Sequence, residues 1–346
     1  MENNSLVSFI IPIYKTPQEL LRNCLDSVFK YSGPMELVCV LDSPGDACEA
    51  VLDEYAAMEP RMRLLKNDRN RGVSYSRNHG LDAAIGEYVA FVDADDEIIA
   101  ATYETALRFA IENDLDGCAI TAGKSEIARF GVPYGEAVVG TIRDSSVAVA
   151  LAGSYYMAVY PMVLRRALLG EKGIRFLEGH RYGEDFMAMV QLLCTGGRFA
   201  CMNKIGYKCV GHPNSACRRP PNVERYTHGL ITVLTVLRTV ASSDVAAVAR
   251  HWYLGRCVEM VLFDRTAARF VKGDARQEYY ANLKALSALI CDEYAEMLRN
   301  LPELLLRFLQ GCPSLWFLPG MPLSQVLRVL GHFGLLFKNT HKGETR

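Results

Sequence analysis

The stretch EYVAFVDADDEIIAATYETALRFAIEN, residues 87–113, sets an apolar run against three carboxylates, Asp93, Asp95 and Asp96, and then a segment with helical spacing. An apolar run of this length followed by an amphipathic segment reads as a buried strand feeding a helix. The carboxylates fall at the junction. Like charges this close repel and raise one another's pKa unless a cation or a set of donors compensates them.

The same pattern recurs upstream. SLVSFIIPIY (5–14) precedes TPQELLRNCLDSVFKYS (16–32), where Leu20, Leu21, Cys24, Leu25 and Val28 share a helical face. MELVCVLDSPGD (35–46) precedes ACEAVLDEYAAM (47–58), and RMRLLKND (61–68) precedes VSYSRNHGLDAAIG (73–86). Four strand-then-helix units predict an α/β fold with a mostly parallel, Rossmann-like central sheet, right-handed crossovers and both faces covered. Ligands of such sheets bind beyond the carboxyl ends of the strands. Those ends carry Tyr14 and Lys15, Asp42, Asn67 and Asp68, and the acidic triplet.

GCAITAGKSEIARFG (117–131) reads as a further strand and turn, and residues 154–186 keep aromatic and basic side chains together, as an acceptor-facing half would. From about Asn222 the pattern becomes long helical stretches, including 229–263 and 278–301. The boundary is expected near Pro220 and Pro221, giving a catalytic domain over 1–220 and a C-terminal helical region over 221–346.

Composition narrows the function. With 346 residues, 50% hydrophobic, and a net charge of −1, the chain is globular and carries no general electrostatic footprint for nucleic acid. MENNSLVSFIIPIYK is too short and polar for a secretory leader, and the eleven cysteines are odd in number with no CxxC pair. The expectation is reduced thiols in a cytosol. Cys194, Cys201, Cys209 and Cys217 lie too far apart for the usual ligand pairing of structural zinc, so buried thiols are the preferred reading.

A D-x-D at a strand end suits a magnesium or manganese ion, which takes one or two carboxylates and completes its shell with substrate phosphates. The matching ligand is a nucleotide diphosphate bearing a leaving group. Residues 67–98, NDRNRGVSYSRNHGLDAAIGEYVAFVDADDEI, closely resemble the N-x-G-x-x-x-A-R-N-x-G…G-E-Y…F-x-D-x-D-D signature of family 2 glycosyltransferases with the GT-A fold. SFIIPIYKTPQELLRNCLDSV (8–28) resembles that family's opening strand and helix, and IRFLEGHRYGEDF (174–186) its later acidic motif; the match spans roughly residues 6–217.

The resemblance implies inverting, metal-dependent transfer of a sugar from a nucleotide-sugar donor, with a UDP-sugar expected, to a glycan, lipid-linked or other hydroxyl acceptor. It puts Pro12, Tyr14 and Asp42 at the nucleotide and Gly72 and Arg77 in the donor-side loop and helix. Asp95 becomes the direct ligand of Mn²⁺ or Mg²⁺, with Asp93 nearer the ribose. Glu184 and Asp185 match the acidic pair containing the general base, with Asp185 preferred. GYKCVGHPNSACRR (206–219) resembles a loop closing over the diphosphate, where His212 is a candidate metal or phosphate contact and Ser215 and Arg218 candidate diphosphate contacts. Lys15 in place of a common asparagine, and LDSPGD in place of D-D-G-S-x-D, leave base and sugar open.

Plainer readings stand beside these. Asp96 before Glu97 and an apolar helix is a good N-cap. Glu184 and Asp185 alone fit a solvated helix start, and a lone His212 fits a hydrogen-bonded structural histidine. Lys204, Lys208, Arg218 and Arg219 are either a solvated basic face or counter-charge for a diphosphate, and Tyr155, Tyr156 and Tyr160 either core or acceptor contacts. LPELLLRFLQ, LWFLPGM and LSQVLRVLGHFGLLFK in 301–338 contain no uninterrupted run of the ~20 apolar residues a span needs. Five basic against two acidic residues from 301 onward leave two readings: a peripheral contact at the inner face of a membrane, or a tail on the catalytic domain or a second subunit. Rival functions are a catalytically silent nucleotide-sugar scaffold and a sugar-nucleotide pyrophosphorylase. The second would want a glycine-rich loop that IIPIYKTPQEL lacks, and no G-x-G-x-x-G opens the first helix for a dinucleotide enzyme.

Overall fold

In a computed structural model of the chain, residues 6–122, 132–141, 143, 144, 160–210 and 223–244, with 273, 277 and 281, are described. The first half alternates as the sequence predicts: β1 (Val7–Ile13), α1 (Gln18–Phe29), β2 (Met35–Leu41), α2 (Glu49–Met58), β3 (Met62–Lys66), α3 (Val73–Ala83) and β4 (Tyr88–Phe91). β1 pairs in parallel with β2 and β4, and β2 with β3. The strands run 3-2-1-4, so the chain reverses direction across the sheet at the β1/β4 boundary. A crevice opens there beyond the carboxyl ends, where such sheets seat their ligands.

Register decides which side chains face which layer. Phe9, Ile11, Ile13, Leu37, Cys39 and Leu41 join α1 and α2 in one continuous core. Their neighbours Ile10 and Val40 face α3 instead. With both faces covered, β1 and β2 read as unbroken apolar runs and not as an alternation. α1 buries Leu21, Cys24, Leu25 and Val28, the expected stripe.

The second half departs from a parallel sheet. β5 (Glu97–Ile98), α4 (Ala100–Glu112), β6 (Gly117–Ala122), β7 (Ala137–Gly140), β8 (Met162–Arg165), α5 (Arg166–Glu171), α6 (Glu184–Leu193), β9 (Phe199–Lys208) and α7 (Val223–Ala241) follow. β8 inserts antiparallel between β4 and β6, while β9 runs parallel to β6 and antiparallel to β5 and β7. The sheet is therefore mixed, with its parallel half holding the crevice. α7 packs along α6.

Asp96 is not a helix cap. α4 starts at Ala100 with Ile99 at the N-cap, because Glu97 and Ile98 first pair with Lys208 and Tyr207 of β9. The backbone N–H of Ile98 is taken by the Ser27 hydroxyl at 3.0 Å, which holds this detour in place.

α3 lies close on the sheet through Gly80. A Cβ there would stand 2.5 Å from Ile10 Cγ2 and 3.2 Å from Val40 Cγ2. Alanine gains about 1 kcal/mol in helix propensity over glycine, but overpacking costs roughly 1–3 kcal/mol. Gly80→Ala is therefore expected to lower the urea midpoint with an unchanged m-value, and a raised midpoint would contradict this packing.

Candidate active site

The rim of the crevice is built around Asp42, buried after β2. Its Oδ1 accepts the Asn67 amide at 2.8 Å and the Arg71 backbone N–H at 2.9 Å, and its Oδ2 accepts the Gly72 N–H at 2.9 Å. Asn67 also donates to Ser76 Oγ, and its Oδ1 meets His79 Nδ1 at 2.8 Å. Asp42 thus ties the loop after β3 to the start of α3. Gly72, with φ +87°, takes the left-handed turn that opens the helix. The sequence puts Asp42 at the nucleotide; in the structure it accepts three protein N–H groups and so shapes the loop at that rim. Asn67 was legible only as a polar strand end.

Pro12 is half-buried in β1, and Tyr14 is exposed at the crevice mouth. Lys15 has φ +49°, a left-handed conformation that asparagine tolerates better than most residues. Its N–H is held by Asp46 Oδ2 at 2.6 Å, and its ammonium lies 5.2 Å from the Tyr14 ring centroid. The Asp46 bond holds the lysine in that conformation.

At the end of β4 the triplet divides by exposure: Asp93 and Asp95 are half-buried and Asp96 is buried. Asp96 Oδ1 accepts the Val210 N–H at 2.7 Å. Burial, and next the Asp93 carboxylate, push its pKa up to about 7. Tyr207 of β9, fully buried, receives the Asp93 N–H on its hydroxyl at 3.0 Å and also bonds Asp96. Asp96 and Tyr207 thus brace the strand end from behind. Tyr207 was missed in the sequence, where the only signal was its place in GYK, next to a candidate loop.

Arg77 of α3 joins the two acidic motifs. Its guanidinium donates to Asp93 Oδ1 at 2.8 Å and to Glu184 Oε1 at 2.9 Å, with only 4% of its side chain exposed. The ring of Phe176 lies 5.3 Å from the guanidinium carbon, and Nε is buried without a partner among the described residues. Burial acts to lower the Arg77 pKa, and Asp93, Glu184 and Asp185 more than offset it. Arg77, expected on the donor side, forms an ionic bridge between residues 107 positions apart in the chain.

Glu184 and Asp185 open α6. Glu184 is buried against Arg77, while Asp185 is half-buried and accepts the Phe186 N–H at 2.8 Å. Helix-start position alone predicts a well-ionised Asp185. Burial overrides it: desolvation, and next the Glu184 carboxylate, raise Asp185 to about 7 against the pull of Arg77.

His212, Ser215 and Arg218 lie outside the described residues, as do Arg219, Cys217, Tyr155, Tyr156 and the 301–338 segments. Lys208 pairs with Glu97 at 2.7 Å and Lys204 bonds Thr105 at 3.1 Å. Tyr160 stacks on Tyr207 at 4.7 Å, a core position. Among the described residues no disulfide forms; Cys194 is half-buried, Cys201 buried and Cys209 exposed. No described helix is long and apolar enough to cross a membrane.

No cluster of three His, Cys, Asp or Glu side chains that could enclose a metal occurs among the described residues. The donor set nonetheless fits a hard cation. Asp93 keeps 32% of its side chain exposed and Asp95 is half-buried on the same strand end. An oxygen-seeking ion that draws its remaining ligands from phosphates and water needs no more.

Residues 8–156 match the profile of the family described as Glycosyl transferase family 2. Glycosyltransferase YibD of Escherichia coli strain K12 is 38% identical over 117 residues, 34% of this chain and 33% of that protein. The chain thus spans about a third of that relative's length. The structure of S. aureus TarS 1–349 in complex with UDP-GlcNAc superimposes with a TM-score of 0.64 at 21% identity, covering 83% of this chain and 81% of that one. Mannosyltransferase PcManGT from Pyrobaculum calidifontis, in complex with GDP-Man and Mn²⁺, gives 0.52 at 16% identity over 91% and 88%. These likenesses show the GT-A arrangement of the sheet and crevice.

Proposed function

We propose that this chain, whose residues 8–156 match the family 2 glycosyltransferase profile, transfers a sugar, with inversion and metal dependence, from a nucleotide diphosphate-sugar to a glycan or other hydroxyl acceptor. The observation that carries the reading is Arg77, which holds Asp93 of the strand-end triplet and Glu184 of the second acidic motif on one guanidinium. Donor-side and acceptor-side carboxylates therefore share one crevice, as a displacement at a single carbon requires. The UDP-GlcNAc and GDP-Man in the related structures support a nucleotide-sugar donor, and a uridine one is preferred.

The chemistry falls to residues 1–220. Asp95, with Asp93 beside it, would hold Mg²⁺ or Mn²⁺, which when bound neutralises charge developing on the departing diphosphate. Pro12 and Tyr14 line the mouth where the base would lie, and Asp42 fixes the loop that flanks it. His212, Ser215 and Arg218 are assigned to the diphosphate side. Asp185 takes the proton of the attacking hydroxyl. Glu184, whose Oε1 is held by the Arg77 guanidinium at 2.9 Å, is the runner-up for that role.

A thermal-shift screen of UDP-GlcNAc, UDP-glucose and GDP-mannose, with and without Mn²⁺, tests this. Saturating a site at a hundredfold over Kd adds about 2.7 kcal/mol of apparent stability. One donor should raise the midpoint only with metal, and chelator should reverse the shift and stop donor hydrolysis. Asp95→Asn should abolish the metal-dependent shift while leaving the unliganded midpoint nearly unchanged. Hydrolysis persisting in excess chelator would refute metal dependence; binding without any hydrolysis is what a silent scaffold would give.

A further inference from the structure

The turn that delivers the acidic pair is gripped by a helix from beyond the catalytic region. Two side chains one turn apart on α7, His228 and Thr232, reach the backbone of Arg181 and Tyr182 and the side chain of His180. We propose that His228 and Thr232 are positioning residues, forming a clasp that fixes the 180–183 turn and so aims Glu184 at Arg77 and Asp185 at the acceptor.

Hydrogen-bond direction specifies the clasp closely. The Thr232 hydroxyl donates its one proton to the Tyr182 carbonyl at 2.9 Å. The same oxygen meets His180 Nε2 at 3.0 Å, so His180 must be the donor there, protonated on Nε2. His228 Nδ1 lies 3.0 Å from the Arg181 backbone N–H and therefore accepts, which fixes His228 as the Nε2–H tautomer. The two imidazoles stack with centroids 4.3 Å apart and planes within 17°. Burial, and next the neighbouring His228, hold His180 down to about 4, in keeping with a neutral pair. Every donor and acceptor in the clasp thus has one role, with none interchangeable.

Backbone geometry makes the turn sensitive to this grip. Gly183 has φ +81°, and a Cβ there would lie 2.8 Å from both Cγ2 and Oγ1 of Thr232. Thr232 therefore packs directly against the residue before Glu184. From the opposite side, Ser74 of α3 donates to the His180 carbonyl at 3.3 Å. Held between α3 and α7, the turn has little freedom, and the first residues of α6 inherit its orientation. Arg181 and Glu224, 3.5 Å apart, form an exposed rim that adds little.

The inference rests on the reading of Asp185 as the base. Small misplacements of a catalytic group cost up to about 10²-fold in rate. In the full-length protein, Thr232→Val and His228→Ala should each lower kcat for hydrolysis of the UDP-GlcNAc, UDP-glucose and GDP-mannose panel about tenfold or more, with donor KM unchanged within about twofold. Thr232→Ser keeps the hydroxyl, and His228→Asn keeps an acceptor near the Nδ1 position; both should recover most of the rate. Amide hydrogen exchange over 181–187 should quicken about tenfold in Thr232→Val and not in Thr232→Ser. Unchanged exchange overturns the clasp, whether or not any donor of the panel is hydrolysed. Quickened exchange with intact turnover, while Asp185→Asn is inactive, overturns the positioning role alone. An active Asp185→Asn instead sinks the base assignment and leaves the exchange result standing by itself.

Discussion

Asp185→Asn is expected to lower turnover by about 10²- to 10⁴-fold, the usual cost of losing a general base, with donor and metal affinity nearly unchanged. An inverting transfer needs the acceptor hydroxyl to attack opposite the departing diphosphate, and that hydroxyl is a weak nucleophile until a carboxylate takes its proton. Two carboxylates stand at the head of α6. Glu184 Oε1 is engaged by the Arg77 guanidinium at 2.9 Å, which turns this carboxylate toward α3 and occupies the oxygen that would have to meet the acceptor hydroxyl. Asp185 accepts the Phe186 backbone N–H and is pushed up to about 7 by burial and by Glu184. A base with this pKa serves efficiently near neutral pH.

The same pKa predicts the pH profile. The base works deprotonated, so kcat should fall as pH drops through about 7, and Asp185→Asn should flatten that acid limb along with lowering the rate. Turnover with the acceptor, followed from pH 5.5 to 8.5 with donor affinity titrated in parallel, reads both. If Asp185→Asn stays near normal and Glu184→Gln does not, the two roles are exchanged.

The parallel half of the fold was legible because its strands are buried on both faces and announce themselves as apolar runs between amphipathic helices. The strand-end triplet was legible for the opposite reason, since carboxylates are costly at such a place without compensation. What local pattern hid was long-range pairing. Asp96 before Glu97 looks like a helix start, and only β9, more than 100 residues on, turns Glu97 and Ile98 into a strand and defers α4 to Ala100. β8 is a short run, Met162–Arg165, and nothing within it reveals that it lies antiparallel beside β4. Tyr207 is an ordinary β-strand tyrosine until its hydroxyl is found between the Asp93 backbone and Asp96. The motif around Arg77 was legible, but its pairing with Asp93 and Glu184 was not, because Glu184 lies 107 residues away in sequence.

Arg77→Met is expected to be the most destabilising single substitution at the site, at about 3–5 kcal/mol, the cost of breaking a buried ion pair from one side. The size follows from what is left behind. Glu184 retains 9% and Asp93 32% of its side-chain exposure. Without the guanidinium, one carboxylate is nearly dry and the other only partly hydrated, with Asp185 adding like charge beside Glu184. Arg77→Lys should be intermediate. It keeps a cation and removes the orphaned Nε, whose burial itself costs about 1–3 kcal/mol, but a single ammonium cannot reproduce a fork that reaches Asp93 and Glu184 at once. Removing the stranded charge should restore part of the loss: in the Arg77→Met background, Glu184→Gln should cost less than it does alone, or become stabilising. Urea unfolding of the four proteins of this cycle measures that coupling. A cost below about 1 kcal/mol for Arg77→Met, or additive effects in the cycle, would show that water already screens the pair. The two acidic motifs would then be held in register by the packing of Phe176 and α6, and not by charge.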